Sequence, residues 1–306
     1  MIKIKLKPFF SGLILTGLIT SSSIFLSCSK EDEITVPDDA EYGSKVIDQQ
    51  VTDPDILKLA DGTYRMYYGT EPEVEGNQLE IYTATSTDGI VWEANPTAVM
   101  TMATFPDVVM LPDGKIRMYF QNAQEIKSAL SSDGIDFTVE PGVRISIGSN
   151  GESPAAPSVM TLEDSTFLMV YRESVDGAYS STSLNQTTTA FKTATSADGL
   201  SFTVNKIVED GRSAIYDGHI DGCEVFYDDN SVIRLRYWTS GGTANASSVQ
   251  GQYEKTSSDH GSTWSPAVKF LYIHGGDPTY LKTGDTWHMY FTPNSDGIYV
   301  KETVVI

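Results

Sequence analysis

Carboxylates are the side chains whose type and spacing point to chemistry in this chain. Asp53 and Asp55 flank Pro54, Asp107 follows Pro106, Asp221 stands before Gly222-Cys223, and Asp277 precedes Pro278. Each group opens a short apolar run of strand-like composition. A fold that gathers the starts of those strands at one rim would converge all five, with Asp53, Phe105, Ala156, Asp221 and Asp277 at the rim itself. The positions two residues on, Asp55, Asp107, Ser158, Cys223 and Thr279, would then share a strand face. Carboxylates held together raise one another's pKa values, and a raised acid opposite an ionised base is what hydrolysis of a glycosidic bond uses. The competing role for any one of them is a turn or strand cap held by backbone N–H groups.

The elements that must position these residues are repeats. Asp53-Pro54-Asp55-Ile56-Leu57 leads through Asp61-Gly62 into Tyr64-Arg65-Met66-Tyr67-Tyr68, and Phe105 to Phe120 repeats the pattern through Asp113-Gly114. Further copies begin at Ala156, at Asp221 and at Asp277, the fourth being the most degenerate. Each copy reads as an apolar strand, a hairpin turn and an alternating aromatic strand, followed by a third strand. In four of the five that third strand ends in a second turn: Ser86-Thr87-Asp88-Gly89, Ser131-Ser132-Asp133-Gly134, Ser196-Ala197-Asp198-Gly199 and Ser257-Ser258-Asp259-His260-Gly261. An aromatic follows each, at Trp92, Phe137, Phe202 and Trp264. With a period of about 50 to 65 residues, the pattern predicts an all-β fold, a five-bladed β-propeller of four-stranded antiparallel blades. The fifth blade is one strand short in sequence order, which predicts that a strand within Ser44 to Gln50 closes the ring. Tyr67, Tyr68, Tyr119, Trp238 and Tyr290 fall on second strands and are expected mostly in the core. The loops 71–78 and 174–189 are expected to shape the pocket.

On these residues the chain resembles the five-bladed clan containing glycoside hydrolase family 43, the arabinanases and xylosidases, and more distantly the invertase and levansucrase families. The likeness covers all five blades, and the second turns resemble the Asp-box of sialidases, a fold marker. The resemblance implies a glycoside hydrolase acting on oligosaccharide or polysaccharide. Asp53-Pro54 matches the blade-one Asp-Pro that supplies the base, and Thr104-Phe105-Pro106-Asp107-Val108 loosely matches a blade-two Trp-Ala-Pro-Asp-Val. Blade three carries Ala155-Ala156-Pro157 where the family has Ile-Asp-Pro, and blade four carries Ile220-Asp221-Gly222-Cys223-Glu224 where it has Glu-Gly-Pro with the proton donor. The implied roles are Asp53 as base, Asp221 as donor with Glu152 or Glu224 as substitutes, and Asp55, Asp107 and Asp277 as substrate ligands. Because relatives use a channel histidine for a central cation or water network, His219 and His274 are candidate ligands and calcium the candidate cation. No metal-ligand spacing such as His-x-x-x-His accompanies them. The altered donor leaves a second reading, a glycan-binding lipoprotein with a degenerate site. A sialidase is a third, although Arg172, Arg212, Arg234 and Arg236 come without an Arg-Ile-Pro signature.

The N-terminus fixes the expected address. Lys3, Lys5 and Lys7 before an apolar run from Pro8 to Ile19 read as a secretory signal, and Ile24-Phe25-Leu26-Ser27-Cys28 resembles a lipobox. The expected organisation is a signal over 1–27, lipidation at Cys28, a polar tether over 28–42 and one propeller over 43–306. Ser29-Lys30-Glu31-Asp32-Glu33 resembles the export tag of Bacteroidetes-type surface lipoproteins, so the expectation is a lipid-anchored outer-membrane protein exposed at the cell surface. Cys28 and Cys223 are the only cysteines, so no disulfide framework is expected and a monomer must stand on its core. There are 21 Lys+Arg against 41 Asp+Glu, and loss of the leader's three lysines takes the net charge from −20 to −23. That surface repels phosphate backbones and excludes nucleic acid as a partner. Phosphate loops, Gly-x-Ser-x-Gly elbows and Cys-x-x-Cys pairs are missing from the sequence.

Overall fold

The computed structural model describes residues 42–70, 76, 78–174, 189–213, 215–216, 220–239, 250–271, 275–293, 296–303 and 305. Their regular structure consists of twenty-one strands in five antiparallel sheets. Strand β1 (Ser44–Ile47) comes first in sequence and last in the ring. Blade one is β2 (Val51–Lys58), β3 (Tyr64–Thr70), β4 (Glu80–Ser86) and β5 (Glu93–Ala94), with β6 (Met100–Thr101) as a second partner of β4. Blade two is β7 (Thr104–Met110), β8 (Ile116–Asn122), β9 (Glu125–Ser131) and β10 (Thr138–Val139), and blade three is β11 (Pro154–Thr161), β12 (Phe167–Ser174), β13 (Thr189–Ser196) and β14 (Thr203–Asp210). Blade four is β15 (Asp221–Tyr227), β16 (Ile233–Thr239), β17 (Gly251–Ser257) and β18 (Val268–Leu271). Blade five is β19 (Gly276–Thr283), β20 (Thr286–Thr292) and β21 (Ile298–Thr303), and β1 supplies its fourth strand by pairing with β21, Ser44 opposite Val300. The closure expected from the sequence is therefore the one the ring uses.

The hairpins follow from turn chemistry. Gly62 and Gly114 hold φ of 88° and 83°, where a side chain is strained, and Asp61 accepts the Thr63 N–H at 3.0 Å. The core lies between blades rather than within them. Second strands are sandwiched by neighbours on both sides, so they bury residues on both faces and read as continuous apolar runs; Tyr67, Tyr68, Tyr119 and Tyr290 are fully buried there, while Trp238 is half-buried. One apolar cluster fills each seam, from Ile81, Val108 and Met118 between blades one and two to Ile47, Tyr68 and Val300 between blades five and one.

The Ser-Asp-Gly turns staple one blade to the next. Asp133 accepts the N–H groups of Ile135 and Asp136 at 2.9 Å each and the Ser131 hydroxyl at 2.8 Å. The turn then presents its Gly134 carbonyl to the Tyr67 hydroxyl of blade one at 3.0 Å, with Phe137 packed edge-on to the Tyr67 ring. Tyr119 of blade two grips Gly199 of blade three in the same way at 2.8 Å, and Tyr290 of blade five grips Gly89 of blade one. Among the described residues no helix is long and apolar enough to cross a membrane.

Candidate active site

Every innermost strand carries a β-bulge at its start, and in every bulge one residue takes left-handed backbone: Asp53, Phe105, Ala156, Gly222 and Asp277, at φ of 54°, 52°, 42°, 35° and 49°. A bulge of this kind turns the strand and re-aims a side chain. Here the five residues line one axial mouth. The next residue is Pro54, Pro106, Pro157, Cys223 or Pro278, and proline suits a bulge because it lacks the N–H a regular ladder would need. This register corrects the sequence reading of blade four by one residue. Gly222, not Asp221, is the equivalent of Asp53, and Glu224, not Cys223, is the equivalent of Asp55.

Beneath the prolines lies a belt formed by Asp55, Asp107, Ser158, Glu224 and Thr279. Asp55 accepts the Val108 N–H of blade two at 2.5 Å, Asp107 the Val159 N–H of blade three at 2.9 Å, and Ser158 the Val225 N–H of blade four at 3.0 Å. Thr279 of blade five returns to Asp55 at 3.4 Å, and Ser158 donates to Glu224 at 3.1 Å. Asp55 and Asp107 thus join neighbouring blades, and the capping role weighed from the sequence describes both. Oxygens of Asp55, Asp107 and Glu224 also lie within 4.8 Å of one another. Burial pushes the Asp55 carboxyl up to about 6 against the pull of its N–H donors. Burial, then the charges of Asp55 and Glu224, push Asp107 well above the usual carboxylate range, and burial with the charge of Asp55 does the same to Glu224. Three such oxygens could share protons or hold a hard, oxygen-seeking cation of the calcium kind. The well lined by these three carboxylates and by the five bulge residues above them has a volume of about 30 Å³, room for a water or an ion, so that a sugar ring could only rest across its opening.

A sugar must therefore sit above the belt, at the mouth. There the Thr52 hydroxyl lies 3.5 Å from an oxygen of Asp53 and 3.4 Å from an oxygen of Asp277. The two carboxylates are thus no further apart than the roughly 6.5–9.5 Å that an inverting pair spans. Asp277 reaches toward blade four: a Cβ on Gly222 would overlap its carboxylate, so glycine is what gives that carboxylate its place. Asp221, on the outer side of Gly222, forms an ion pair with the buried Arg172, whose guanidinium lies 5.5 Å from the centre of the Phe105 ring. Arg172 projects from β12 beside the bulge that holds Ala156, the position where blade three has almost no side chain.

The remaining sequence candidates separate. Glu152 does not line the mouth; it sits in the turn before β11, accepting Asn150 N–H at 3.0 Å and Asn150 Nδ2 at 2.9 Å, and the Asn150 side chain holds its carboxyl below the usual range. Burial pushes the Cys223 thiol up, with Glu224, Asp107 and Asp277 adding to the effect. His219, His274 and Cys28 lie outside the described residues, as do most of the two loops expected to shape the pocket. Sequence reasoning missed Thr52 and the placing of Arg172. A threonine before Asp-Pro carries no signal, and Arg172 lies buried behind Phe105 on a strand that is buried throughout.

The ring is a five-bladed propeller of the kind built by family-43 glycoside hydrolases. Among solved structures the chain is similar to a GH43_1 enzyme from Xanthomonas citri, with 14% identity, TM-score 0.64, and coverage of 86% of this chain and 91% of that one. It is also similar to an endo-arabinase from Bacteroides thetaiotaomicron, with 13% identity, TM-score 0.62, and coverage of 86% and 98%. A third similar structure is from the GH130 family of mannoside phosphorylases, which contains glycoside hydrolases that target β-1,2 mannosidic linkages in Candida mannan; identity is 14%, TM-score 0.60 and coverage 85% of each chain. No family model and no curated protein matches the sequence.

Proposed function

We propose that this protein hydrolyses glycosidic bonds of an oligosaccharide or polysaccharide laid across the mouth, with Asp53 as base and Asp277 as proton donor. The observation that carries the proposal is the approach of these two carboxylates to one hydroxyl, Thr52, above a well too narrow for the sugar itself. Asp277 delivers its proton to the departing glycosidic oxygen as that bond breaks. Asp53 removes a proton from the water whose oxygen bonds to the anomeric carbon, leaving a hemiacetal and a free alcohol. Asp221 is better suited to positioning Arg172 than to donating, because a carboxylate paired with a guanidinium is favoured in its charged form. The Phe105 ring, which lines the opening, then offers an apolar face to the sugar, with the buried Arg172 behind it. Support from the similar structures is to the fold and to the class of chemistry their names describe.

The test is release of aryl aglycone from arabinofuranosides, xylosides, galactosides, mannosides and fucosides by the leaderless protein. Asp53→Asn and Asp277→Asn should each lower turnover by about 10²–10⁴-fold. A loss in Asp221→Asn alone, with Asp277→Asn active, would return the donor role to blade four. Silence on every substrate with glycan affinity intact would establish instead a capture protein, the reading that Ala156 and the Arg172–Asp221 ion pair favour. The leader, the lipobox-like Cys28 and the acidic tag support a lipid anchor at the outer face of the outer membrane; incorporation of labelled palmitate, lost in Cys28→Ser, tests it.

A further inference from the structure

We propose a second saccharide-binding site, away from the mouth, in the cleft between blades four and five. Four of the five seams are filled by a Ser-Asp-Gly turn. Gly134 sits against Arg65 and Tyr67, Gly199 against Arg117 and Tyr119, Gly89 against Tyr290, and Gly261 against Leu168. In each case the turn of one blade rests on the second strand of the blade before it. Among the described residues blade five has no such turn, because its fourth strand is β1, which precedes blade one, and is not joined to β21 by a hairpin. The seat on β16, where its turn would rest, is consequently open as a cleft of about 350 Å³.

The residues in that seat differ from their equivalents in a way that suits a ligand. Where β3, β8 and β20 present Tyr67, Tyr119 and Tyr290 to a turn, β16 presents Arg236. Its guanidinium lies 4.3 Å from the centre of the half-buried Phe270 ring and 4.8 Å from that of Tyr280. Glu254 ties Arg236 Nε at 2.7 Å to Arg234 Nη1 at 2.6 Å, and Asp228 holds Arg234 at 2.9 and 2.7 Å. These charged edges are therefore set before any ligand arrives, which lowers the ordering cost of binding. Met289 floors the cleft, and Lys301 and Glu302 stand at its rim.

Chemistry selects the class of ligand. Positive groups at Arg234, Arg236 and Lys301 are balanced by Asp228, Glu254 and Glu302, so the cleft favours a neutral molecule. An aromatic face flanked by fixed, planar hydrogen-bonding groups is what a pyranose or furanose ring takes, with apolar C–H groups on the ring and hydroxyls at its edge. The volume falls at the low end of the roughly 300–1,000 Å³ of small-molecule pockets, enough for one or two sugar units. Such a cleft grips a glycan independently of the mouth. The proposal rests on the carbohydrate reading above for the ligand class only, and not on catalysis.

The experiment is affinity electrophoresis of the leaderless protein in gels containing arabinan, xylan, galactan or mannan, alongside aryl-glycoside turnover. The wild type and Asp53→Asn should be retarded alike by at least one polysaccharide. Phe270→Ala should weaken that retardation by about fivefold or more, with turnover within about twofold of wild type, while Phe270→Trp keeps both ring and retardation and guards against a folding defect. Retardation of Phe270→Ala equal to wild type overturns the proposal, as does absence of retardation in all four gels. Retardation that depends on Phe270 in a protein with no turnover supports the cleft and sinks the catalytic reading instead.

Discussion

A side chain at φ near +50° costs free energy unless the surrounding strands fix it, and the mouth holds four such residues with a glycine completing the ring. Gly222 is the informative one. Its φ of 35° is close to the 42° that Ala156 holds at the equivalent position, so backbone strain alone does not explain the glycine. The overlap between a Cβ there and the Asp277 carboxylate does. Gly222→Ala is therefore expected to expel Asp277 from its place, lowering stability by about 1–3 kcal/mol and turnover by nearly as much as Asp277→Asn. Unfolding in urea and turnover measured together check this, and an unchanged turnover would detach Asp277 from the chemistry. The same residue shows where sequence reasoning stopped. Matching Gly222 to the prolines shifted blade four by one position, whereas proline's φ is fixed near −65° and the positive-φ position beside it is the one glycine fits. Aligning by backbone conformation would have placed Glu224 in the belt. That Asp221 is bound to Arg172 was beyond reach, since a partner 49 residues away is fixed by folding, whereas Glu152 bonds Asn150 two residues before it, a turn contact that the local sequence could have suggested.

Strands and turns were far more legible than partners. Alternation, the Asp-Gly hairpins and the blade-sized period each have a local physical cause, so five blades and their closure could be read directly. The extra strand β6 could not, being two residues without pattern. The open seat between blades four and five was also hidden, because it is made from β16, β18, β20 and β21 and shows only as a turn that is absent. Closure itself makes a prediction at this scale. β1 covers the edge of β21, and Ile47 enters the cluster of Val51, Ile298 and Val300. A chain starting at Val51 loses that pairing and about 1.5–3 kcal/mol from Ile47 alone, while exposing an unpaired edge that invites association. Calorimetry and size exclusion should show a lower melting temperature and larger species than for a chain starting at Tyr42. Equal melting temperatures would mean that β21 needs no cover.

Closing the ring also creates an electrostatic cost that no single blade carries. Asp55, Asp107 and Glu224 come from blades one, two and four and meet only in the finished propeller. Each has its folded pKa raised, so in the window between the ordinary carboxylate pKa and the raised one the folded state binds more protons than the unfolded chain. Stability must then fall as pH rises through that window. For Asp55 the rise from 3.8 to about 6 corresponds to about 3 kcal/mol lost between roughly pH 4 and pH 7, and the other two extend the loss upward. The turn aspartates act in the opposite sense. Backbone N–H groups hold Asp88, Asp133 and Asp198 below their usual range, and the Thr263 hydroxyl with the Thr263 N–H does the same for Asp259. Their stabilisation is present above the ordinary carboxylate pKa and is lost as pH falls below it. The two groups bracket a maximum, so in chelator-treated buffer the melting temperature should peak near pH 4 to 5 and decline toward pH 8. Asp55→Asn should flatten the decline between pH 4 and 6, because it removes the titrating group while keeping an acceptor for the Val108 N–H. Millimolar calcium should raise the melting temperature at pH 8 and have little effect at pH 5, where protons occupy the same oxygens. A chelated wild type as stable at pH 8 as at pH 5 would show that the three carboxylates are not brought together as closely as this ring places them.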